Sequence, residues 1–189
     1  MRKVFIFSFV MLLGLAACQE DISLEVEDER HEKIWYEPVP FERAVEELSF
    51  EVPELTEFPF EQGGDWSEIY QSTEDRDQIS IMTRYVREGV ELNYEDAIAN
   101  QDAYEFVDFT VANYEAELNV HNAQGFETMK LGSREVKVRY ESQLPSITAH
   151  WMEDGQSYQL TYVNAYARED GPEKQNFVDA VEMMLASFE

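Results

Sequence analysis

Residues 147–162 read Ile147-Thr148-Ala149-His150-Trp151-Met152-Glu153-Asp154-Gly155-Gln156-Ser157-Tyr158-Gln159-Leu160-Thr161-Tyr162. Ile147, Ala149 and Trp151 fall on one side of an extended chain, and Tyr158, Leu160 and Tyr162 do the same in the second half. Successive side chains of a strand point to opposite faces, so each run describes a half-buried strand. Between them stands Asp154-Gly155, a pair that readily takes the positive backbone angles of a tight antiparallel turn. The stretch predicts a β-hairpin, and with it an antiparallel sheet that has one apolar face.

Outward from the hairpin the same pattern recurs. Val136, Val138 and Tyr140 alternate with Glu135, Lys137 and Arg139, and Ile79, Ile81, Thr83 and Tyr85 share one face of another strand. Gly63-Gly64-Asp65 reads as a turn before a strand from Trp66 to Gln71. Residues 92–120 are ambiguous. Tyr104, Val107, Val111, Tyr114 and Leu118 have helical spacing, yet Phe106 to Val111 is rich in strand formers, which favours a helical turn near Tyr94–Asn100 and strand beyond it.

Two helices are predicted. Phe41, Ala44, Val45 and Leu48 line one side of a short amphipathic helix that Pro40 can open. After the break at Asp170-Gly171-Pro172, Glu173 places a negative charge at a helix start. Phe177, Val181, Met184, Leu185 and Phe188 then form one apolar stripe opposite Asp179 and Glu182. The expected fold class is α+β: a single domain over residues 37–189, an antiparallel sheet with a C-terminal helix packed on one face and a short N-terminal helix.

The N-terminus carries a different message. Arg2 and Lys3 precede an apolar run from Val4, too short for the roughly 20 residues of a spanning helix. The charged start, apolar centre and small-residue exit match an export signal over residues 1–17. Leu15-Ala16-Ala17-Cys18 resembles the lipobox of bacterial lipoproteins, and Cys18 is the only cysteine of the chain. The resemblance implies cleavage between Ala17 and Cys18 and a diacylglyceryl thioether on the Cys18 sulfur. Two acyl chains give stable attachment where one is marginal. Residues 18–36, crowded with Glu25, Glu27, Asp28, Glu29 and Glu32, read as the lipidated cysteine and an acidic tether, although Ile22, Leu24 and Val26 alternate as a short strand would.

Composition narrows the partners. The chain has 40 acidic and 14 basic residues, and loss of residues 1–17 removes only Arg2 and Lys3 from that balance. Phosphate backbones need clustered Lys and Arg, so nucleic acid is excluded as a partner, and an anionic membrane can be reached only through the lipid. Aromatic residues at 13% supply a core that a disordered acidic chain would lack.

No catalytic constellation emerges. His31-Glu32 opens like a zinc-protease motif, but Trp35 stands where the second histidine is needed, and His121 and His150 are isolated. Glu74-Asp75-Arg76-Asp77 lacks the glycine and distal glutamate of a calcium loop. No metal ligand, cofactor or catalytic residue is assigned. Trp151, Tyr158 and Tyr162 are core-forming aromatics that could also line a carbohydrate- or peptide-binding face.

One further likeness covers roughly residues 40–189. A helix running into Phe50-Glu51-Val52-Pro53, a Gly132 turn before Val136–Tyr140, Ala149-His150-Trp151 with the Asp154-Gly155 hairpin, and a closing helix ending Ala186-Ser187-Phe188 resemble the domain of unknown function 4367. That family occurs in exported parts of lipoproteins and membrane-bound regulators of spore-forming bacteria. The long acidic insert around residues 90–120 departs from its compact form. The likeness implies an α+β domain and an exported setting, and it supplies no catalytic residues. The expectation is a non-enzymatic envelope lipoprotein, held on the extracytoplasmic face of the cell membrane (the outer membrane in a two-membrane cell). It would bind or sense an envelope protein or small ligand. A carrier or chaperone shielding a hydrophobic client is the second reading, and an exported hydrolase the third.

Overall fold

The computed structural model describes residues 22–90, 104–116, 125–168 and 173–188. Leu15, Ala16, Ala17 and Cys18, the Tyr94–Asn100 turn, His121 and the Asp170-Gly171-Pro172 break lie outside these residues. Among the described residues nine strands form one antiparallel sheet. They are β1 (Val26–Arg30), β2 (Lys33–Tyr36), β3 (Gln62–Ser72), β4 (Ile79–Arg87), β5 (Glu105–Ala112), β6 (Glu127–Leu131), β7 (Arg134–Glu141), β8 (Ser146–Glu153) and β9 (Gln156–Asn164). Their spatial order is β1-β2-β3-β4-β5-β9-β8-β7-β6, so two meanders join where β5 pairs with β9.

The hairpin falls where the alternation predicts it. Trp151 pairs with Tyr158 and Glu153 with Gln156, leaving Asp154 at φ 52° and Gly155 at φ 81°. Positive φ at both central residues is the turn whose twist matches that of the strands. The helix Lys174–Ala186, here α2, buries Phe177, Val178, Ala180, Val181, Met184 and Leu185 in the same core as Ile147, Leu160 and Phe109 of the sheet. Each large apolar side chain removed from water in this way contributes about 1.5–3 kcal/mol. The helix expected over Phe41–Leu48 is reduced to five residues, α1 (Phe41–Val45), whose Phe41 and Ala44 are buried. The backbone NH of Phe41 donates to Asp65 Oδ2 at 2.9 Å, tying α1 to β3.

Two expectations need correction. The acidic tether does not extend to residue 36: Ile22 and Leu24 pack against the core, and β1–β2 add a hairpin to the sheet. Every residue of β1 is exposed, because it is the edge strand, and its charges guard unpaired backbone groups against pairing with another chain. A charged edge and a charged linker look alike in sequence. Secondly, Gly63-Gly64-Asp65 is no turn but the start of β3, with an irregularity between Gln62 and Gly64. A Cβ on Gly63 would lie 2.8 Å from Glu88 Cα and 2.9 Å from the Arg87 carbonyl oxygen, so the glycine is there for a close backbone approach. His31 and Glu32, at φ 52° and 62°, form the β1–β2 turn.

The opposite face of the sheet carries a second, smaller core of Trp66, Val86, Tyr104, Phe106 and Val163 at one end. The Arg84 guanidinium lies 4.3 Å from the Phe106 ring centroid and holds Asp108 by two 2.6 Å bonds. Burial pushes the Asp108 carboxyl above its ordinary range, against the pull of Arg84.

These two glycines should respond differently to a methyl group. Gly155→Ala meets nothing within 4 Å, so only its positive φ opposes it, with an expected loss of about 1 kcal/mol in urea unfolding. Gly63→Ala must displace the backbone of β4 and should lose more; equal losses would contradict the close approach.

Candidate functional site

The hairpin positions two aromatic side chains at the rim of a groove of about 630 Å³ on the helix-covered side of the sheet. Trp151 and Tyr158 are cross-strand neighbours whose rings stack at 5.1 Å and 7°. Phe109 of β5 lies 6.3 Å from Trp151 and 6.4 Å from Tyr158, and Phe188, just past α2, stacks on Phe109 at 5.3 Å. The opposite wall is Phe50-Glu51-Val52-Pro53, an extended segment that its proline keeps out of regular structure.

Arg134 closes one end. Its Nε donates to Glu153 Oε2 at 3.0 Å, its Nη1 donates to the Leu185 carbonyl at 3.3 Å, and its guanidinium lies 5.8 Å from the Phe188 ring. The residue therefore ties β7 to the C-terminal end of α2, where a cation also meets the negative end of the helix dipole. The Tyr158 hydroxyl donates to Gln156 Oε1 at 2.5 Å, and burial, then Glu153 and Asp154, raise its pKa. Trp151 Nε1 is buried without a hydrogen-bond acceptor among the described residues. The groove thus offers flat apolar faces for stacking, with carboxylates and one guanidinium at its edge. These groups suit recognition of a ligand with an apolar plane and a polar margin.

Of Trp151, Tyr158 and Tyr162, the first two line this groove and Tyr162 does not. Tyr162 points into the core beside Phe60 and Phe177, and its hydroxyl donates to the buried Glu105, which also accepts from Arg87 and Asn164. That network raises the Tyr162 pKa, through burial first and the Glu105 carboxylate second. It joins the ends of β4, β5 and β9 and has no opening to the groove. Arg134, Phe188 and the Phe50–Pro53 wall were not singled out as site residues; only the apolar stripe containing Phe188 and the quoted Phe50–Pro53 segment hinted at them.

The other candidates resolve into structure. Asp75 of the acidic loop accepts from the Asp77 backbone NH through Oδ1 and from Gln78 Nε2 through Oδ2, so it shapes the β3–β4 turn. Among the described residues no three His, Cys, Asp or Glu side chains are grouped to hold a metal ion, and no helix is long and apolar enough to cross a membrane. His150 is buried on the face away from α2, with Nε2 3.2 Å from Ser157 Oγ and a further hydrogen bond to the backbone of Ala116. Comparison with protein families, curated proteins and solved structures finds no match to this chain.

Burial, then the nearby Lys137 ammonium, lowers the His150 pKa. The folded value lies below the unfolded one. Acid therefore favours the unfolded chain, and the stability from neutral His150 is lost as pH falls through the folded value. In an NMR titration its ring protons should show a midpoint below the ordinary value of about 6.5. Lys137→Gln should move that midpoint up without restoring it fully; a midpoint unchanged by the substitution would remove Lys137 from the cause.

Proposed function

We propose that this chain is a lipid-anchored extracytoplasmic envelope protein that acts by binding and carries out no catalysis. One observation carries the reading: the sole cysteine stands directly behind Leu15-Ala16-Ala17, at the end of a charged and then apolar leader. Sulfur is the nucleophile that accepts the lipid, so the residue type and its position are both accounted for. Ile22 already packs against the core, four residues beyond Cys18. At about 3.4 Å per residue the connecting chain spans at most about 14 Å. The domain therefore stands close to the lipid surface, and its acidic β1 edge lies near the point of attachment.

The groove at Trp151 and Tyr158 supplies a surface by which such a protein can hold an envelope protein or a small ligand. A carrier for a hydrophobic client gains no support from the space between α2 and the sheet. Phe109, Ile147, Leu160, Val181 and Met184 fill it and are at most 1% exposed. A hydrolase gains no support from Glu153, the groove carboxylate that pairs with Arg134 at 3.0 Å.

In cells fed radiolabelled palmitate, the wild-type chain should be labelled and sediment with membranes. Cys18→Ala should be unlabelled and remain in the soluble extracytoplasmic fraction. Equal labelling of the two would overturn the anchoring.

A further inference from the structure

The face of the sheet away from α2 holds a hollow of about 470 Å³ whose lining differs in kind from the rest of the molecule. Strands β2, β3, β4, β5, β9, β8 and β7 all contribute to it, from Lys33 at one side to Arg139 at the other. In a flat sheet six strand intervals would separate these two residues by about 29 Å. Sheet twist and the reach of the long Lys33 and Arg139 side chains let one hollow touch both.

Its floor is made of hydroxyls and an amide: Ser80, Thr110, Thr148, Ser157, Thr161 and Gln159. These groups both donate and accept hydrogen bonds. Tyr70, Tyr114 and Phe126 stand around the floor, and Phe126 lies 5.1 Å from the Arg139 guanidinium.

The charge is reversed here. The chain has 40 acidic residues against 14 basic ones, yet among the described residues lining the hollow there is no carboxylate, while the cations Lys33 and Arg139 are present. Strand alternation also turns Lys130 and Lys137 to this face, so it receives three of the five lysines of the chain. Several acids of the same face are engaged. Asp108 is held by Arg84 through two bonds, Glu68 accepts from the Tyr70 hydroxyl, and Glu141 pairs with Arg139 Nη2 at 3.0 Å from the exposed rim. Glu135 lies opposite Lys130 in the β6–β7 ladder. Screening acts over about 8 Å in physiological salt, so a ligand seated in the hollow senses these cations more than the distant acidic surface.

We propose that the hollow is a binding site for an acidic sugar: a saccharide bearing a carboxylate or phosphate, with its charged group at Lys33, since Arg139 is already paired with Glu141, and its hydroxyls on the Ser/Thr floor. The cations account for the charge, the floor for a polyol, and the flanking rings for the apolar face of a pyranose. His150 bonds Ser157 and the backbone of Ala116, so it fixes part of the floor to the segment that borders it. The proposal is independent of the anchor and of the Trp151 groove.

Calorimetric titration of the full chain with glucuronate, glucose 6-phosphate and glucose tests it, at low and high salt. At least one acidic sugar should bind about tenfold more tightly than glucose, since a charge-assisted hydrogen bond is worth about that factor, and the advantage should shrink in high salt. The glucuronate and glucose 6-phosphate arms separate a carboxylate site from a phosphate site. Lys33→Gln should weaken the acidic sugar about tenfold and leave glucose binding and the melting temperature unchanged, and Arg139→Gln should weaken it less. Lys33 is exposed on a strand near the sheet edge, so its variant reports even if Arg139→Gln unfolds. Glucose binding as tightly as both acidic sugars, no binding by any of the three, or undiminished acidic-sugar binding by Lys33→Gln would overturn the proposal.

Discussion

The pairing of β5 with β9 is the constraint on which the rest of the structure rests. On either side of it the sheet is built from neighbours in sequence, β1 through β5 and then β6 through β9. At the seam the partners run from Glu105↔Asn164 to Ala112↔Ser157, about 45 to 60 residues apart. Closing that distance is unfavourable in chain entropy, and the reward comes only when the seam forms. What it assembles is considerable. Phe109 reaches Trp151, Tyr158 and Phe188, and Glu105 reaches Tyr162 and Asn164. On the other face, Thr110 joins Gln159 and Thr161 in the floor of the hollow. The groove and the hollow are two sides of one ladder. A slip of one residue would turn Phe109 toward the hydroxyls and Asp108 into the apolar core.

What could be read from the sequence was what is local. The β8–β9 hairpin announces itself through two alternating runs and Asp154-Gly155, and β7 and the helix at the C-terminus through their own periodicities. Trp151 and Tyr158 were legible as a pair because the hairpin makes them direct neighbours. The wall that faces them was not, since Phe50, Arg134 and Phe188 come from distant parts of the chain and no local pattern links them. The β1–β2 hairpin was hidden for another reason. An edge strand exposed on both faces has no alternation to show, and the charges that protect it are those of a linker. Gly63 misled similarly, because a glycine needed for close backbone contact is written like one needed for a turn.

The hollow illustrates a further limit. Lys33, Lys137 and Arg139 are scattered among acids in sequence, and Glu135 and Glu141 flank two of them along β7. Only when each strand is assigned its faces do the cations gather around a floor that lacks carboxylates among its described residues. Composition predicted an acidic surface, and that is true of the average. A binding site is a departure from the average, so composition argues against what the folded arrangement supplies.

The Arg84–Asp108 pair shows how such a sheet keeps its register. In the β4–β5 ladder the flanking pairs are Thr83↔Phe109 and Tyr85↔Val107, with Ile81↔Val111 beyond. A slip of one residue is excluded by the two faces, but a slip of two returns every side chain to its own face, and apolar residues would still meet apolar or neutral ones. Arg84 and Asp108 are directly opposite; Arg84 is buried against Trp66 and Phe106, and Asp108 is largely covered. In the native register two hydrogen bonds offset that desolvation. In the slipped register the two charges would be buried apart, a loss of about 3–5 kcal/mol, although the correctly formed pair adds little net stability over an apolar one. The ion pair therefore acts through discrimination and not through strength. It selects, between two arrangements that the hydrophobic pattern permits, the one that sets Thr83 beside Phe109 and Met82 beside Thr110.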